Sequence, residues 1–345
     1  MYWRLVRLII GAFIIVFVAG ILLPQEGSKP KAENARMVTI YGALPTENLM
    51  LVAHEFEKAT GIKVLYVSVL HQDILPRLRA EKAPVQADVW LGAPLEQMLQ
   101  AKKEELLTNY TSPQTERILP AWRDKDGSWT GLFIDVPVFV TNKDLLLREL
   151  TELPYFWEDI LNPANKSKVA LADPAVSNAT YSMLAVLLQQ LGPEKAFDFY
   201  KKLHQNTQQY PKDNFTPGRM VSMGEKSVGV LGLNEAVRYI RDGFPIVVTY
   251  SKEHIGYNLY GAGIIAGAPH SQEARIFMDW LLSKEGQTVL LSKGLYYYPT
   301  NSEVAPVSEV AFFSDLDYDN FNVVEAAEHK AKLIEKWNME VRIGK

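Results

Sequence analysis

The stretch Val38–Ser68 constrains the fold more than any other, because its pattern is that of one strand–helix–strand unit of a parallel sheet. It opens with Val38–Tyr41, a short apolar and β-branched run of the kind found in buried parallel strands. An apolar stripe at helical spacing follows, made by Leu49, Val52, Ala53 and Phe56. We predict that Thr46 caps this helix, that Gly61 ends it and that Val64–Val67 forms the second strand.

The loop between the first strand and its helix, Ala43–Thr46, is the first candidate for a ligand site. A helix that begins at the carboxyl end of a strand offers backbone N–H groups without partners and a partial positive charge. Small anionic or polar ligands bind at such loops in open α/β sheets. The sequence therefore predicts that a ligand is held at this loop, which includes Thr46, and at others like it.

The pattern continues through two more strand and helix rounds and then changes. A helix carries Ile74, Leu75 and Leu78, Ala87–Gly92 is a buried strand, and Pro94–Leu107 is helical again. This alternation predicts a parallel sheet with helices on both faces. The following segment, Trp129–Thr141, is long, extended and apolar, with Pro137 inside it. Because proline cannot donate a hydrogen bond within a sheet, we interpret this segment as the first crossing between two lobes.

A second lobe follows the crossing. Lys168–Leu191 repeats the strand–loop–helix pattern, and Ser227–Leu233 is the next strand. Phe244–Tyr250 and Gly261–Ala266 look like a return strand pair. Two later helices are predicted, one with the stripe Ala274, Phe277, Met278 and Leu281, the other at Val323–Trp337.

The N-terminal segment has the pattern of an export signal or a signal anchor. Arg4 and Arg7 precede the uncharged apolar run Leu8–Leu23. This run exceeds the usual signal core and falls short of the roughly 20 residues that span a bilayer, so both interpretations of residues 1–23 stay open. The positive charges predict that the N-terminus stays inside and the body lies outside the cytoplasm. Residues 24–36 read as a linker.

Composition and motifs exclude several classes of function. The 345-residue chain has a formal net charge of −4 and no basic block, so nothing predicts nucleic-acid binding. It has no cysteine, which excludes disulfides, thiol catalysis and thiolate metal sites. Gly-x-Ser-x-Gly, P-loop and His-Glu-x-x-His motifs are absent from the sequence. We predict no catalytic residue, metal or cofactor; an exported hydrolase that uses Glu235 and Glu253 is the enzyme alternative.

Blocks of residues in consistent order between 37 and about 340 carry a family resemblance. They are Val38–Tyr41 with Phe56–Val64, Arg79–Lys82 with Gln86–Trp90, Ala170–Pro174, Gly256–Asn258 and Leu281–Gln287. Together they resemble the type II extracytoplasmic solute-binding proteins of ABC importers, in the branch that binds ferric iron, phosphonates or sugar and glycerate phosphates. The resemblance implies an α/β fold of two lobes, each a sheet flanked by helices, joined by two crossing strands.

The resemblance also implies an organisation and a mode of action. We assign residues 37–135 and 252–300 to lobe 1, and residues 136–251 and 301–345 to lobe 2. A monomer would capture a small molecule by lobe closure, without chemistry, in the periplasm or at the outer face of the cytoplasmic membrane. Its partner would be an ABC permease or, as an alternative, a membrane sensor kinase.

Candidate residues for an anionic ligand come from both lobes. Phosphate-binding members present small hydroxyl residues at a helix N-terminus, and Ser177, Asn178, Ala179 and Thr180 match that element. Ser177 can equally be a plain helix cap. In the first lobe the matching loop carries His71 and Gln72. His71 either donates to an anion or lies exposed at the loop tip.

A second group of candidates matches positions that bind sugar hydroxyls in hexose-phosphate binders. These are Asn234, Glu235 and Glu253, for which a hinge or lobe salt bridge is the alternative. Tyr257 stacks on the ligand or packs in the hinge. Iron-binding members carry neighbouring tyrosines where Asn234, Glu235 and Ala236 stand; this chain lacks that pair, and a ferric-iron-binding protein is kept as an alternative. Arg219 is either an anion clamp or part of a surface salt bridge.

Overall fold

The computed structural model describes residues 36–149, 152–207, 209–315, 318 and 320–343. The predicted signal or anchor at 1–23, and all of the linker except Arg36, lie outside the described residues. Within the described ranges, no helix is both long enough and apolar enough to cross a bilayer.

The described residues form a mixed α/β structure. The strands are β1 Met37–Gly42, β2 Lys63–Ser68, β3 Val89–Pro94, β4 Leu107–Thr108, β5 Thr130–Asp135, β6 Pro137–Asn142, β7 Val169–Ala170, β8 Val228–Gly232, β9 Ile246–Thr249, β10 Asn258–Ile265 and β11 Tyr298–Pro299. The helices are α1 Thr46–Thr60, α2 His71–Ala80, α3 Leu95–Lys103, α4 Lys143–Glu149, α5 Asn178–Leu191, α6 Pro193–Thr207, α7 Phe215–Ser222, α8 Leu233–Arg241, α9 Ser271–Leu282, α10 Lys284–Ser292 and α11 Val323–Trp337.

The first sheet has seven strands in the order β11-β5-β10-β3-β1-β2, with β4 also paired to β10. Strand β1 is parallel to β2 and to β3, so that Ile40 lies between Tyr66 and Val89. The predicted first unit is therefore confirmed. The prediction of a parallel sheet holds for these three strands, whereas β10 runs antiparallel to both β3 and β5.

The second sheet has four strands in the order β7-β8-β6-β9. Strand β5 ends in the first sheet at Asp135, and β6 begins in the second sheet at Pro137, opposite Gly232. Pro137 thus stands at the start of a strand, where a missing N–H is tolerated. The predicted first crossing is confirmed, and the chain crosses back between β9 and β10.

Two local predictions are wrong. Phe244–Tyr250 and Gly261–Ala266 do not pair with each other, because β9 completes the second sheet while β10 enters the first. Thr46 does not cap α1 but is its first residue, since the preceding Pro45 already occupies the extended cap position, at φ −50° and ψ 146°. The predicted end at Gly61 is confirmed by its φ of +71°, which favours glycine.

Helices cover both sheets and divide the molecule into two halves. The first-sheet half comprises the first sheet with α1–α3, α9 and α10, and the second-sheet half comprises the second sheet with α4–α8. Strands β3 and β8, one in each half, are buried along their whole length. The terminal helix α11 contacts α3 in the first-sheet half and α5 in the second-sheet half, so it rests on both.

Candidate functional site

A cavity of about 400 Å³ lies between the two halves, within the size range of small-molecule sites. It opens where strands end: β1, β3 and β5 in the first sheet, and β8 in the second. From the first-sheet half it is lined by Ala43, Leu44, Pro45, His71, Gly92, Pro94, Asp135, Tyr260 and Tyr297. From the second-sheet half it is lined by Ser177, Asn178, Ala179, Asn214, Phe215, Gly232, Asn234, Glu235, Arg238, Tyr239 and Asp242.

The N-terminus of α5 presents hydrogen-bond donors to the cavity. Ser177 is the cap of this helix, and its side-chain oxygen accepts from the N–H of Thr180 at 3.2 Å. The first N–H groups of a helix have no partners within the helix, and the helix dipole adds positive potential there. We call the residues Ser177, Asn178 and Ala179 the donor end of the cavity. A phosphate or carboxylate is the natural ligand of such a helix terminus.

Asn178 links the two halves beside the donor end. Its side-chain nitrogen lies 3.0 Å from the hydroxyl oxygen of Tyr260, which stands on β10 in the first-sheet half. Its side-chain oxygen accepts from Lys330 of α11 at 2.8 Å. These contacts fix the orientation of the Asn178 amide at the cavity wall.

One wall of the cavity presents acceptors. Asp135, at the end of β5, accepts a hydrogen bond from the backbone N–H of Asn234 at 3.0 Å. Burial raises the pKa of Asp135 to about 6, although its backbone hydrogen bonds act in the other direction. A Cβ atom on Gly232 would lie 2.2 Å from an Asp135 carboxylate oxygen. Glycine is therefore required at position 232 for this carboxylate to take its place.

Two more acceptors on this wall lack a partner. The side-chain oxygen of Asn234 and the Oε1 atom of Glu235 are shielded from solvent and make no hydrogen bond. Burial, and then the neighbouring Asp135 carboxylate, raise the pKa of Glu235 to about 8, while Arg238 opposes the rise. We call Asp135, Asn234 and Glu235 the acceptor wall. Unpaired buried acceptors favour a ligand that supplies hydroxyl or ammonium donors.

Two tyrosines form part of the first-sheet side of the cavity. Tyr297 stacks on Phe133 with ring centroids 5.3 Å apart, and Tyr260 lies 5.9 Å from Tyr297. Burial raises the pKa of both tyrosines well above the ordinary value. Burial therefore favours the neutral phenol form of both side chains. Among the described residues, no group of three or more His, Cys, Asp or Glu side chains is placed to hold a metal ion.

His71 begins α2 and lines the cavity, as one of its two sequence interpretations required. Burial, and after it the charge of Lys330, lower the pKa of His71 below its ordinary value. His71 therefore carries one ring proton at neutral pH and can serve as a donor or an acceptor.

Three other predicted residues stand beside the cavity elements without lining the cavity. Thr46 and Gln72 are exposed residues in the first turns of α1 and α2. Thr180 is 1% exposed, and its backbone N–H donates to the side-chain oxygen of the cap Ser177.

Glu253 and Tyr257 are also outside the cavity. Glu253 is exposed in the segment that returns to the first sheet. Tyr257 is 3% exposed, and its hydroxyl accepts from the indole N–H of Trp122 at 3.0 Å, so it packs in the core rather than on a ligand. Arg219 forms a surface salt bridge with Glu225 at 3.7 Å, as the second of its two interpretations predicted.

The structure brings together six of the predicted residues in the cavity lining: His71, Ser177, Asn178, Ala179, Asn234 and Glu235.

Several cavity residues were not predicted. Asp135 had a sequence signal, since it is the one charged residue in the apolar segment Trp129–Thr141. Tyr260, in a strand, and Tyr297, just before one, carried no comparable signal, because aromatic residues at such positions are ordinarily core residues. Arg238 lies on α8 and donates to Glu47 of α1 at 3.1 Å, which joins the halves at the exposed edge of the cavity.

One family model and several known proteins are similar to this chain over most of its length. A family model described as bacterial extracellular solute-binding protein matches residues 52–315. An uncharacterized protein of Haemophilus influenzae is 34% identical over 84% of this chain and 86% of its own length. A Fe(3+)-binding periplasmic protein of Serratia marcescens is 25% identical over 86% of this chain and 88% of its own.

Among solved structures, the periplasmic binding protein AfuA from Actinobacillus pleuropneumoniae superposes with a TM-score of 0.78 at 30% sequence identity. The match covers 89% of this chain and 99% of AfuA, whose structure contains exogenous fructose 6-phosphate. The two-lobe periplasmic-binding-protein fold predicted from the sequence is thereby confirmed.

Proposed function

Since this chain belongs to the family of bacterial extracellular solute-binding proteins, we propose that its ligand is a phosphorylated sugar or a closely similar phosphorylated polyol. Its general role follows from the family: it is an extracytoplasmic receptor that captures a small solute for an ABC importer. The proposal concerns the chemistry of that solute and the residues that hold it.

The observation that carries the proposal is the presence of two different chemistries in the lining of one cavity. The donor end, Ser177–Ala179, suits a phosphate group, because it combines helix N–H groups with a positive dipole end. The acceptor wall suits hydroxyl groups, since Asn234 and Glu235 carry buried oxygens without partners. A phosphorylated sugar supplies both groups on one small molecule, and fructose 6-phosphate, bound in AfuA, has this composition.

Binding is proposed to follow from closure of the two halves on the ligand. The donor end and most of the acceptor wall belong to the second-sheet half, whereas His71, Asp135 and Tyr260 come from the first-sheet half. A ligand that contacts both halves binds the closed form better than the open form and raises the closed population. We retain the lobe boundaries as part of this proposal: 37–135 with 252–300, and 136–251 with 301–345.

Ligand titration tests the proposal. Calorimetry and thermal unfolding are measured with fructose 6-phosphate, glucose 6-phosphate, 3-phosphoglycerate, inorganic phosphate, fructose and ferric iron. A sugar phosphate at 100 times its Kd stabilises the protein by about 2.7 kcal/mol, whereas fructose and phosphate, each lacking one half of the ligand, stabilise it much less. Binding of ferric iron without any sugar phosphate would overturn the proposal in favour of an iron receptor.

The remaining alternatives are a receptor with a different membrane partner and an enzyme that converts its ligand. A receptor for a sensor kinase would use the same cavity, and reconstitution with a cognate permease separates transport from sensing. We propose that no catalytic step occurs; recovery of the bound sugar phosphate unchanged after prolonged incubation is the expected result. Mass spectrometry of the mature N-terminus distinguishes a cleaved signal from a retained anchor, and sedimentation tests the proposed monomer.

A further inference from the structure

Lys330, on the terminal helix α11, makes polar contacts with both halves behind the cavity. Its side chain is 13% exposed. The ammonium nitrogen lies 2.6 Å from Oε1 of Glu96 on α3, in the first-sheet half. It also lies 2.8 Å from Oδ1 of Asn178, at the donor end in the second-sheet half. One buried cation thus meets a residue from each half, and one of the two residues lines the cavity.

These contacts determine the direction of the neighbouring hydrogen bonds. A lysine ammonium group only donates, so Asn178 must turn its oxygen toward Lys330. The Asn178 amide nitrogen is then the atom 3.0 Å from the hydroxyl oxygen of Tyr260, and it donates to that oxygen. Because the Tyr260 oxygen accepts this hydrogen bond, its own proton is available for an acceptor in the cavity.

We propose that Lys330 is a positioning residue for ligand binding: it fixes Asn178 so that the Tyr260 hydroxyl donates to an oxygen of the ligand's phosphate. The inference rests on the proposed function, since it requires an anionic oxygen at the donor end. Without the ammonium group, the Asn178 amide is free to turn over and accept from Tyr260. The Tyr260 hydroxyl would then donate to Asn178 and no longer to the ligand, although no residue that touches the ligand has been changed.

The surroundings of Lys330 support a role beyond an ordinary ion pair. Its nitrogen lies 5.0 Å from the ring centre of Tyr181, so the cation is enclosed by an aromatic face as well as by Glu96 and Asn178. An ion pair with Glu96 alone would hold α11 against α3. The additional contact with Asn178 is the one that reaches the cavity, and it is the contact that the experiment isolates.

A double-mutant cycle tests the proposal. Calorimetry with fructose 6-phosphate is performed on the wild type, on K330M, on Y260F and on the double variant. Each single substitution is expected to raise Kd about tenfold, because a hydrogen bond to a charged group is lost. The double variant is expected to show the same tenfold rise, rather than a hundredfold rise, since both substitutions remove one donor.

Further variants separate positioning from structural support. K330R, which also only donates, is expected to restore Kd to within about threefold of the wild type. K332M removes a charge from an exposed site on the same helix and is expected to leave Kd unchanged. Affinity for unphosphorylated fructose is expected to be equal in K330M and the wild type. A fall in melting temperature without a change in Kd would assign Lys330 a structural role only and overturn the proposal.

The outcomes also distinguish this inference from the proposed function. If the wild type binds fructose 6-phosphate but K330M binds it equally well, or if the two substitutions act additively, the inference fails and the proposed function stands. If the wild type binds no sugar phosphate, the proposed function fails and the inference fails with it.

Discussion

Two helix N-termini face the same cavity, those of α5 and α8, and they present opposite chemistry. At α5 the cap Ser177 accepts a single N–H, and the remaining first-turn amides stay available to a ligand. At α8 the N–H of Leu233 donates to the Val136 carbonyl at 2.8 Å, and that of Asn234 donates to Asp135. These two N–H groups of α8 are thus already hydrogen-bonded within the protein, and the side chains of Asn234 and Glu235 present acceptors to the cavity instead.

The comparison teaches that a helix N-terminus after a strand does not by itself define an anion site. Whether the N-terminus can bind an anion depends on whether a residue from a neighbouring segment already accepts from the first-turn amides. At α8 that residue is Asp135, whose chain segment runs beside β8 only because β5 and β6 cross from one sheet to the other. The first prediction follows from the tight fit of this carboxylate.

The largest expected effect is on the acceptor wall. In G232A the new methyl group would overlap an Asp135 oxygen, so we expect Kd for fructose 6-phosphate to rise by about a hundredfold or more. The free energy of unfolding should fall by about 1–3 kcal/mol, the usual cost of overpacking. In the double variant D135A/G232A the overlap is absent, so stability should recover while binding stays weak. Denaturant titration and calorimetry measure both quantities.

A carboxylate at the donor end should convert it into a second acceptor wall. S177D retains an oxygen that can cap α5, yet it places negative charge at the proposed phosphate site. We expect Kd for fructose 6-phosphate to rise by at least about tenfold and the free energy of unfolding to change less than in S177A.

A matched control exists on α11, where the exposed Asn322 caps the helix through its side-chain oxygen. N322D adds the same charge to a helix N-terminus outside the cavity and should leave binding unchanged. Equal weakening by S177D and N322D would show that overall charge, rather than the donor end, controls affinity.

The acceptor wall should also make stability depend on pH through Glu235. Its pKa is about 8 in the folded protein and near the ordinary value of 4.5 when unfolded, so the folded state holds an extra proton between these values. Stability therefore declines as pH rises from about 5 to 8. E235Q removes this proton linkage. We expect the free energy of unfolding of E235Q to fall over this pH range by about 1–3 kcal/mol less than that of the wild type. Urea denaturation at several pH values measures the difference, with E253Q, at an exposed site, as the control.

The smallest expected effect is at the exposed salt bridge that joins the halves. Arg238 and Glu47 are 3.1 Å apart, with side chains 44% and 62% exposed. A double-mutant cycle with R238Q and E47Q should give a coupling of about 0.2–1 kcal/mol in ligand affinity, and this coupling should disappear in high salt. A coupling that survives 1 M salt would show that the pair is not an ordinary surface ion pair.

Local patterns in the sequence predicted much of the fold. The alternation in Val38–Ser68 and the helix stop at Gly61 depend on neighbours in the chain, and both are confirmed. The lone proline in Trp129–Thr141 also predicted the crossing correctly, because the effect of its missing N–H is local. Strand pairing was less predictable: β9 and β10 follow each other in the chain, but the return crossing between them places them in different sheets.

The candidate site was predicted where a helix terminus defines it and missed where packing defines it. The pattern before an apolar stripe predicts a cap at Ser177 or Asn178, and the family resemblance adds Ala179. Glu253 and Tyr257 matched family positions, yet the return segment leaves one exposed and buries the other beside Trp122. Tyr260, within β10, and Tyr297, just before β11, line the cavity although aromatic residues at such positions are typically core residues.

The sequence by itself determined the class of the chain, its alternating elements and the helix terminus that can receive an anion. These features depend on backbone conformation and hydrophobic period, which are set within a few residues. Only the tertiary structure decided that Asp135 accepts from the Asn234 N–H at the start of α8, that Lys330 orients Asn178 and that Glu235 is left with an unpaired buried oxygen. Each of these contacts joins segments distant in the chain, and hydrogen-bond direction and burial exist only once those segments have packed together.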